Sequence, residues 1–337
     1  MFKNMSFKIY KWEEIENIFK GGALLLGNGA SMAVDSRFGY ASLIDYAQSR
    51  DLMHKDVQSL FNFFRTNDFE LILRLVWQST NINKALSITD YKTKHAYKHV
   101  RNCLIDTVRN IHPAYQEVSD QIPQIYYFIR EFSTVLSLNY DLILYWAAMY
   151  GQSENDSSEV KDCFIYGIFD EDWRRLREPM SYLNKTTLIF YPHGSLVLCR
   201  DKIESERKIV IKNDSQNLLE SILSKWNSEQ YVPLFVSEGT VEQKVNAIKS
   251  SSYLNTIYRE VITDLERKLV IYGWNIGEQD MHILNKMKQS SVNEVAVSVY
   301  NNDQNYCNRV EKIIKDNFGQ NTTVHFFDSQ SPNCWNN

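Results

Sequence analysis

A short apolar run that breaks into two glycines constrains this chain more than any other stretch. Ala23, Leu24, Leu25 and Leu26 carry no polar break, and Gly27-Asn28-Gly29-Ala30-Ser31 follows at once. Four apolar residues in succession suit a strand buried on both faces, as in a parallel sheet. Glycines one residue apart let a backbone turn sharply or approach a neighbour closely. Strand, glycine turn and helix start together are expected to leave backbone N–H groups free at the positive end of a helix dipole. That arrangement suits a phosphate or pyrophosphate. A plain strand-to-helix turn reads the same over eight residues, so the motif needs company before it carries a function.

The 337 residues suffice for one large α/β unit. With 44% hydrophobic and 23% charged residues, the chain should fold as an ordinary soluble globule. A formal net charge of -4 rules out a general basic field for nucleic acid and leaves room only for a local patch. The N-terminal stretch has lysines but no continuous apolar core of a signal peptide. No apolar run approaches the roughly 20 residues of a membrane span. A cytoplasmic protein without a membrane role is expected. Cys103, Cys163, Cys199, Cys307 and Cys334 are scattered, with no CxxC pair, so free buried thiols are expected rather than zinc or disulfides.

Along the chain, residues 10–20 read as a helix stopped by Gly21-Gly22, and 43–132 as almost wholly helical, with Ser42 and the Asn67-Asp68 pair as caps. Apolar runs at 135–138, 188–191, 233–236, 269–273, 295–300 and 324–327 read as further strands, with helices between them. Residues 151–162 read as a polar surface loop, 200–230 as a charged surface insertion with a helix near Leu218 to Trp226, and the last ten as loose. This alternation predicts an α/β fold: a doubly wound, mostly parallel Rossmann-like sheet with a large helical insertion at 43–132, all within a single domain 1–337. In such sheets ligands sit beyond the carboxyl ends of the strands, where the strand order reverses. Polar clusters at 27–31, 139–141, 193–195 and 273–280 each follow a strand end, and should converge on one rim.

Taken singly, each cluster has a bland reading. Asn139 could cap the helix that follows, Asp141 could be a first-turn acid, His193 a turn histidine after Pro192, and Asp280 a helix start. Four such clusters in one chain are what point to a site. Their order, GNGAS, LNYD, PHGS and YGWNIGEQD, resembles the sirtuin-like NAD-binding family over about residues 20–330. It is most similar to the bacterial branch whose characterised members hydrolyse NAD in anti-phage defence. Sirtuins carry a Gly-Ala-Gly-Ile-Ser turn, a Gln-Asn-Ile-Asp segment and a His-Gly pair.

The resemblance implies that Gly27, Asn28, Gly29, Ala30 and Ser31 cradle the pyrophosphate, and that Asn139 and Asp141 orient the nicotinamide ribose and amide. It makes His193 the catalytic base, brings Gly273 and Asn275 to the adenosine ribose, and gives Asp280 the task of bracing their loop. NAD is then the substrate, and no metal is implied. The four-cysteine zinc module of deacetylating sirtuins is missing. So is their Pro-Asp-Phe-Arg segment, at whose place stand Asp35, Arg37, Phe38 and Tyr40. NAD cleavage without a peptide acceptor therefore fits better than deacylation. The alternatives are a non-catalytic NAD or ADP-ribose sensor subunit, and an ADP-ribosyl transferase or cyclase. The resemblance also leaves room for a protein partner or a phage-derived trigger, and for a homo-oligomer.

Overall fold

The runs without a polar break lie where two buried faces are required. In the computed structural model, which describes residues 6–39, 42–154, 158–179, 184–210, 217–236 and 238–337, the strands are, in chain order, β1 (Ile9–Tyr10), β2 (Ala23–Leu26), β3 (Thr134–Ser137), β4 (Ser158–Lys161), β5 (Phe164–Ile165), β6 (Ile168–Phe169), β7 (Lys185–Phe190), β8 (Gly194–Arg200), β9 (Glu206–Lys208), β10 (Val232–Phe235), β11 (Lys268–Tyr272), β12 (Glu294–Val299) and β13 (Thr323–Asp328). Tyr40, and parts of the 151–162 and 200–230 segments, lie outside the described residues.

Eight strands form one sheet in the order β1-β13-β12-β11-β2-β3-β7-β4. Every pair in it is parallel. Every residue of β2 and β3 is buried. This is the expected α/β, Rossmann-like architecture. The chain runs from β2 outward through β3 to β7, and later from β11 outward through β12 to β13, so the order reverses between β2 and β11. Leu26 is in register with both Tyr272 and Ser137. The loops that begin at Gly27, Leu138 and Gly273 therefore leave the sheet side by side.

Between β2 and β3 the chain is helical, from Leu43–Ser49 to Ile122–Ile129. Ser42 Oγ accepts from the Asp45 N–H at 2.9 Å, and Asp68 Oδ1 from the Leu71 N–H at 3.0 Å, as their cap positions predict. The neighbouring Glu70 is buried and faces Arg200 of β8 at 3.3 Å. Burial pushes its carboxyl up to about 7.

Several local readings are corrected. Tyr10 is not helix but, with Ile9, the edge strand β1, and the helix starts at Trp12. Residues 158–161, read as loop, form the opposite edge strand β4. An edge strand needs only one neighbour and tolerates the polar alternation of Ser-Glu-Val-Lys. The run at 233–236 does not join the parallel sheet. It pairs antiparallel with β8 in a separate sheet, β10-β8-β9, and β8 itself followed the Pro-His-Gly-Ser turn without being foreseen. Within 200–230 the expected helix is present as Leu218–Asn227, but it is not a bare surface element: it buries Leu218, Ile222, Leu223 and Trp226 and contacts the helix Tyr91–Ile111.

The final residues are packed rather than loose. Cys334 and Trp335 are buried, Trp335 Nε1 donates to the Ala30 carbonyl at 2.8 Å, and Asn336 Nδ2 donates to the Ala33 carbonyl and to Gln121 Oε1. One large aromatic anchors an otherwise polar tail. The five cysteines are free and buried, as expected. Among the described residues no helix is long and apolar enough to cross a membrane.

Candidate functional site

The two glycine turns meet at the point of strand reversal. The Gly27 N–H donates to the Tyr272 carbonyl at 2.9 Å, and the Gly29 N–H to the Gly273 carbonyl at 2.6 Å. A Cβ on Gly27 would stand 2.6 Å from Trp274 Cα, and one on Gly273 would stand 2.2 Å from the Ala30 nitrogen. Gly273 also has φ +66, a left-handed conformation that suits glycine. The glycines are therefore required first by the contact of one loop with the other. The expectation of a set of free N–H groups is corrected on the same ground. Those of Gly27 and Gly29 are taken by the second turn, and that of Ala30 by the Gly27 carbonyl at 2.9 Å.

Over this contact opens a cleft of about 760 Å³. Gly27, Asn28, Gly29, Asn139, Asp141, His193, Gly273, Asn275 and Asp280 line it. Ala30 and Ser31, expected beside them, are buried beneath. Ser31 instead ties two predicted residues together. Asn139 Nδ2 donates to the Gly27 carbonyl at 2.9 Å and to Ser31 Oγ at 2.8 Å, and Ser31 Oγ donates to Asp141 Oδ2 at 2.5 Å. Because a carbonyl can only accept, these bonds fix the orientation of the Asn139 amide and turn its Oδ1 away from the glycine turn. Asp141 Oδ1 accepts from the Ile143 N–H at 2.9 Å, so it also caps the next helix. Burial pushes the Asp141 carboxyl above its usual range, against the lowering effect of the Ser31 hydroxyl.

His193 follows the end of β7, the strand in register with β3. Its ring is buried, and its Nε2 lies 3.0 Å from Nε2 of His282, with the rings stacked at 5.1 Å. Burial is the main force holding both imidazoles neutral: it pushes the His193 ring well down and the His282 ring to about 4. Asp280 forms an ion pair with Lys244 at 2.8 Å. Burial raises the Asp280 carboxyl, but the Lys244 ammonium beside it outweighs this and leaves it below its usual range. His193, Asp280 and His282 each bring one ligand-capable atom within 4.8 Å of the others.

Three buried polar atoms on the cleft wall have no protein partner: Tyr140 Oη, Glu238 Oε2 and Trp274 Nε1. Such atoms call for an occupant or an explanation. Glu238 Oε1 accepts from the Leu43 N–H, anchoring the first helix after the glycine segment. Burial pushes the Glu238 carboxyl up to about 7.

A second hollow of about 580 Å³ adjoins the first and shares Gly29, Met32, Gly273, Trp274 and Asn275 with it. Tyr300 and Ser329 line its far side. Arg309 holds the shared loop, donating to the Asn275 carbonyl at 2.9 Å and to its Oδ1 at 2.7 Å. Next to it, Ile276 sits at φ +49, a strained conformation for a β-branched residue.

The sequence reading missed His282, Lys244 and Glu238. His282 had a usable signal, an imidazole two residues after an acid that was already a candidate. Lys244 comes from the helix Val241–Lys249, where nothing local marks it off from an ordinary surface lysine.

Residues 24–335 match the family described as Domain of unknown function (DUF4917). No curated protein matches the chain. Among solved structures, one described as the structural basis for the mechanism and regulation of Sir2 enzymes matches at 8% identity and a TM-score of 0.33, over 85% of this chain and 82% of its own. At that score the likeness bears on neither the fold nor the chemistry.

Proposed function

The chain belongs to the DUF4917 family, and we propose that it is an NAD glycohydrolase, which splits NAD into nicotinamide and ADP-ribose. One observation carries the reading: Asn139 and His193, from different strand ends, line a single cleft at the reversal of strand order. The two adjoining hollows suit a dinucleotide, with the nicotinamide riboside in the larger, the adenosine in the smaller, and the pyrophosphate over the residues they share. The sequence resemblance to NAD-cleaving proteins supports the choice of ligand.

Breaking the bond between nicotinamide and ribose passes through an oxocarbenium-like state, as in glycoside cleavage. Nicotinamide leaves as a neutral molecule from a cationic ring, so no strong acid is needed. The site must hold the ribose, stabilise positive charge and direct a water. The Nδ2 group of Asn139 is spent on the Gly27 carbonyl and Ser31 Oγ, so its Oδ1 is the group that accepts from a ribose hydroxyl or from the attacking water. A neutral His193 can take the proton that is released. Asp141 acts through Ser31, holding Asn139 in place. Asp280 is ionised but paired with Lys244, so the pair adds no net charge to the wall.

A binding-only sensor is favoured by one specific feature: in this arrangement Nε2 of His193 is engaged by His282. Hydrolysis therefore requires the substrate to displace that contact. The motif resemblance supports a role as a regulated effector of anti-phage defence. Incubating the purified protein with NAD and separating the products tests the proposal. Nicotinamide with free ADP-ribose is the expected outcome. Nicotinamide with a cyclic product or ADP-ribosylated protein would replace hydrolysis by cyclisation or transfer, and intact NAD that binds nonetheless would leave the sensor.

A further inference from the structure

One group at the cleft wall has the composition of a metal site: His193 and Asp280 line the cleft, and His282 is buried beside them. We propose that His193, His282 and Asp280 bind one divalent transition-metal ion of the zinc class, and that this ion blocks the cleft's chemistry. Only the second half of that statement rests on the hydrolase reading.

The spacing of the imidazoles is what a metal demands. Two nitrogen ligands at about 2.1 Å from one ion lie about 3.0 Å apart at a right angle and about 3.4 Å apart in a tetrahedron. The two Nε2 atoms stand 3.0 Å apart. They come from independent parts of the fold, His193 from the loop after β7 and His282 from the helix Met281–Met287. Both are buried, so their geometry is set before any ion arrives. Asp280, two residues before His282, supplies the carboxylate, and its ligand atom lies within 4.8 Å of theirs. Two imidazoles and one carboxylate, with the other coordination positions opening into a cleft, suit zinc and its neighbours rather than magnesium or calcium, which prefer oxygen ligands.

Two groups stand in the ion's way, and both can yield. At 3.0 Å a hydrogen must lie between the two Nε2 atoms, so one ring is an Nε2–H donor to the other. A metal needs both lone pairs. That hydrogen moves to Nδ1 of its ring by exchange with solvent, and no net charge is lost from the imidazoles. The second obstacle is the Lys244 ammonium, which sits 2.8 Å from Asp280 Oδ1. It already fills the role of cation beside this carboxylate, and an incoming ion must displace it. With His193 bound to metal, its lone pair is no longer available for a ribose hydroxyl, and nicotinamide release stops.

Cobalt(II), followed by its visible absorption, and zinc, followed by calorimetry, test this on the full, metal-free chain. One ion per chain is expected. Binding should weaken more than tenfold in His282→Ala and in His282→Gln, which keeps most of the volume, and should tighten in Lys244→Met, which removes the competing cation. The surface cluster of His54, His95 and His99, where the His54 and His99 rings stack at 4.0 Å, is the control. No binding at millimolar metal would overturn the proposal. So would binding that survives both His282 variants but is lost in His99→Ala. These readouts do not depend on turnover: a protein that binds zinc at His282 but never releases nicotinamide sinks the hydrolase and leaves the metal site standing.

Discussion

Replacing Asn139 with alanine separates what this residue holds together from what it does. Its Nδ2 makes two hydrogen bonds, to the Gly27 carbonyl and to Ser31 Oγ. Neither acceptor is orphaned by the change. The Gly27 carbonyl still accepts from the Ala30 N–H, and the Ser31 hydroxyl still donates to Asp141. Each lost neutral bond is worth about 1 kcal/mol net, so the variant should lose about 2 kcal/mol of stability. For a domain of this size that is a fall in Tm of about 3 °C. The effect on rate should be much larger, because the group that directs the water or the ribose is gone, and misplaced reactants cost about 100-fold or more. The assay is nicotinamide release by chromatography at saturating NAD, beside a thermal melt of the same preparation. A variant that melts within a few degrees of the native protein but releases nicotinamide at the native rate would refute the assignment. A variant that fails to fold would refute the hydrogen-bond arithmetic.

Three further outcomes follow from the packing and the charges. Gly273→Ala forces a Cβ to within 2.2 Å of the Ala30 nitrogen at φ +66; a loss of about 3 kcal/mol is expected in urea unfolding, and an unchanged midpoint would contradict the close approach of the loops. Trp335→Ala empties the buried anchor of the C-terminal segment and should cost about 3–5 kcal/mol, read by the same denaturation; a loss under 1 kcal/mol would mean the segment is not docked in solution. Glu238→Gln tests the raised carboxyl. Burial lifts its pKa in the folded protein to about 7, above the ordinary glutamate value of 4.5, so the native protein has its full stability from this group below about pH 4.5 and loses it as pH rises towards 7. The neutral variant should therefore match the native protein at pH 4, gain over it between pH 4.5 and 7, and hold that gain at pH 8, as read by Tm against pH; a difference independent of pH would show that Glu238 does not titrate there.

Much of the rim was readable in the residues because the central strands are buried on both faces. A strand such as β2 carries no polar residue, and β11 none between Lys268 and Tyr272, so the first polar cluster after each apolar run marks the loop at its carboxyl end. Gly27, Asn139, His193 and Gly273 were found in that way. The edge strands β1 and β4 escaped because one-sided pairing leaves no such apolar run. Strand β10 was mistaken for part of the parallel sheet because a buried antiparallel strand of four residues has the same composition. The engagement of the glycine N–H groups was not visible either, since it depends on Gly273, 244 positions further along than Gly29, coming close enough to accept from it. Lys244 shows the same limit: a lysine on a helix is ordinary until the fold buries it against Asp280.

The account depends most on a single dinucleotide occupying both hollows, with His193 facing its glycosidic bond. Calorimetric titration of the His193→Ala protein with NAD tests this directly, because a variant without the base should bind the substrate and not consume it. One NAD per chain is predicted, with ADP-ribose competing for the same site. No heat of binding up to millimolar NAD, or uptake that ADP-ribose leaves untouched, would contradict it.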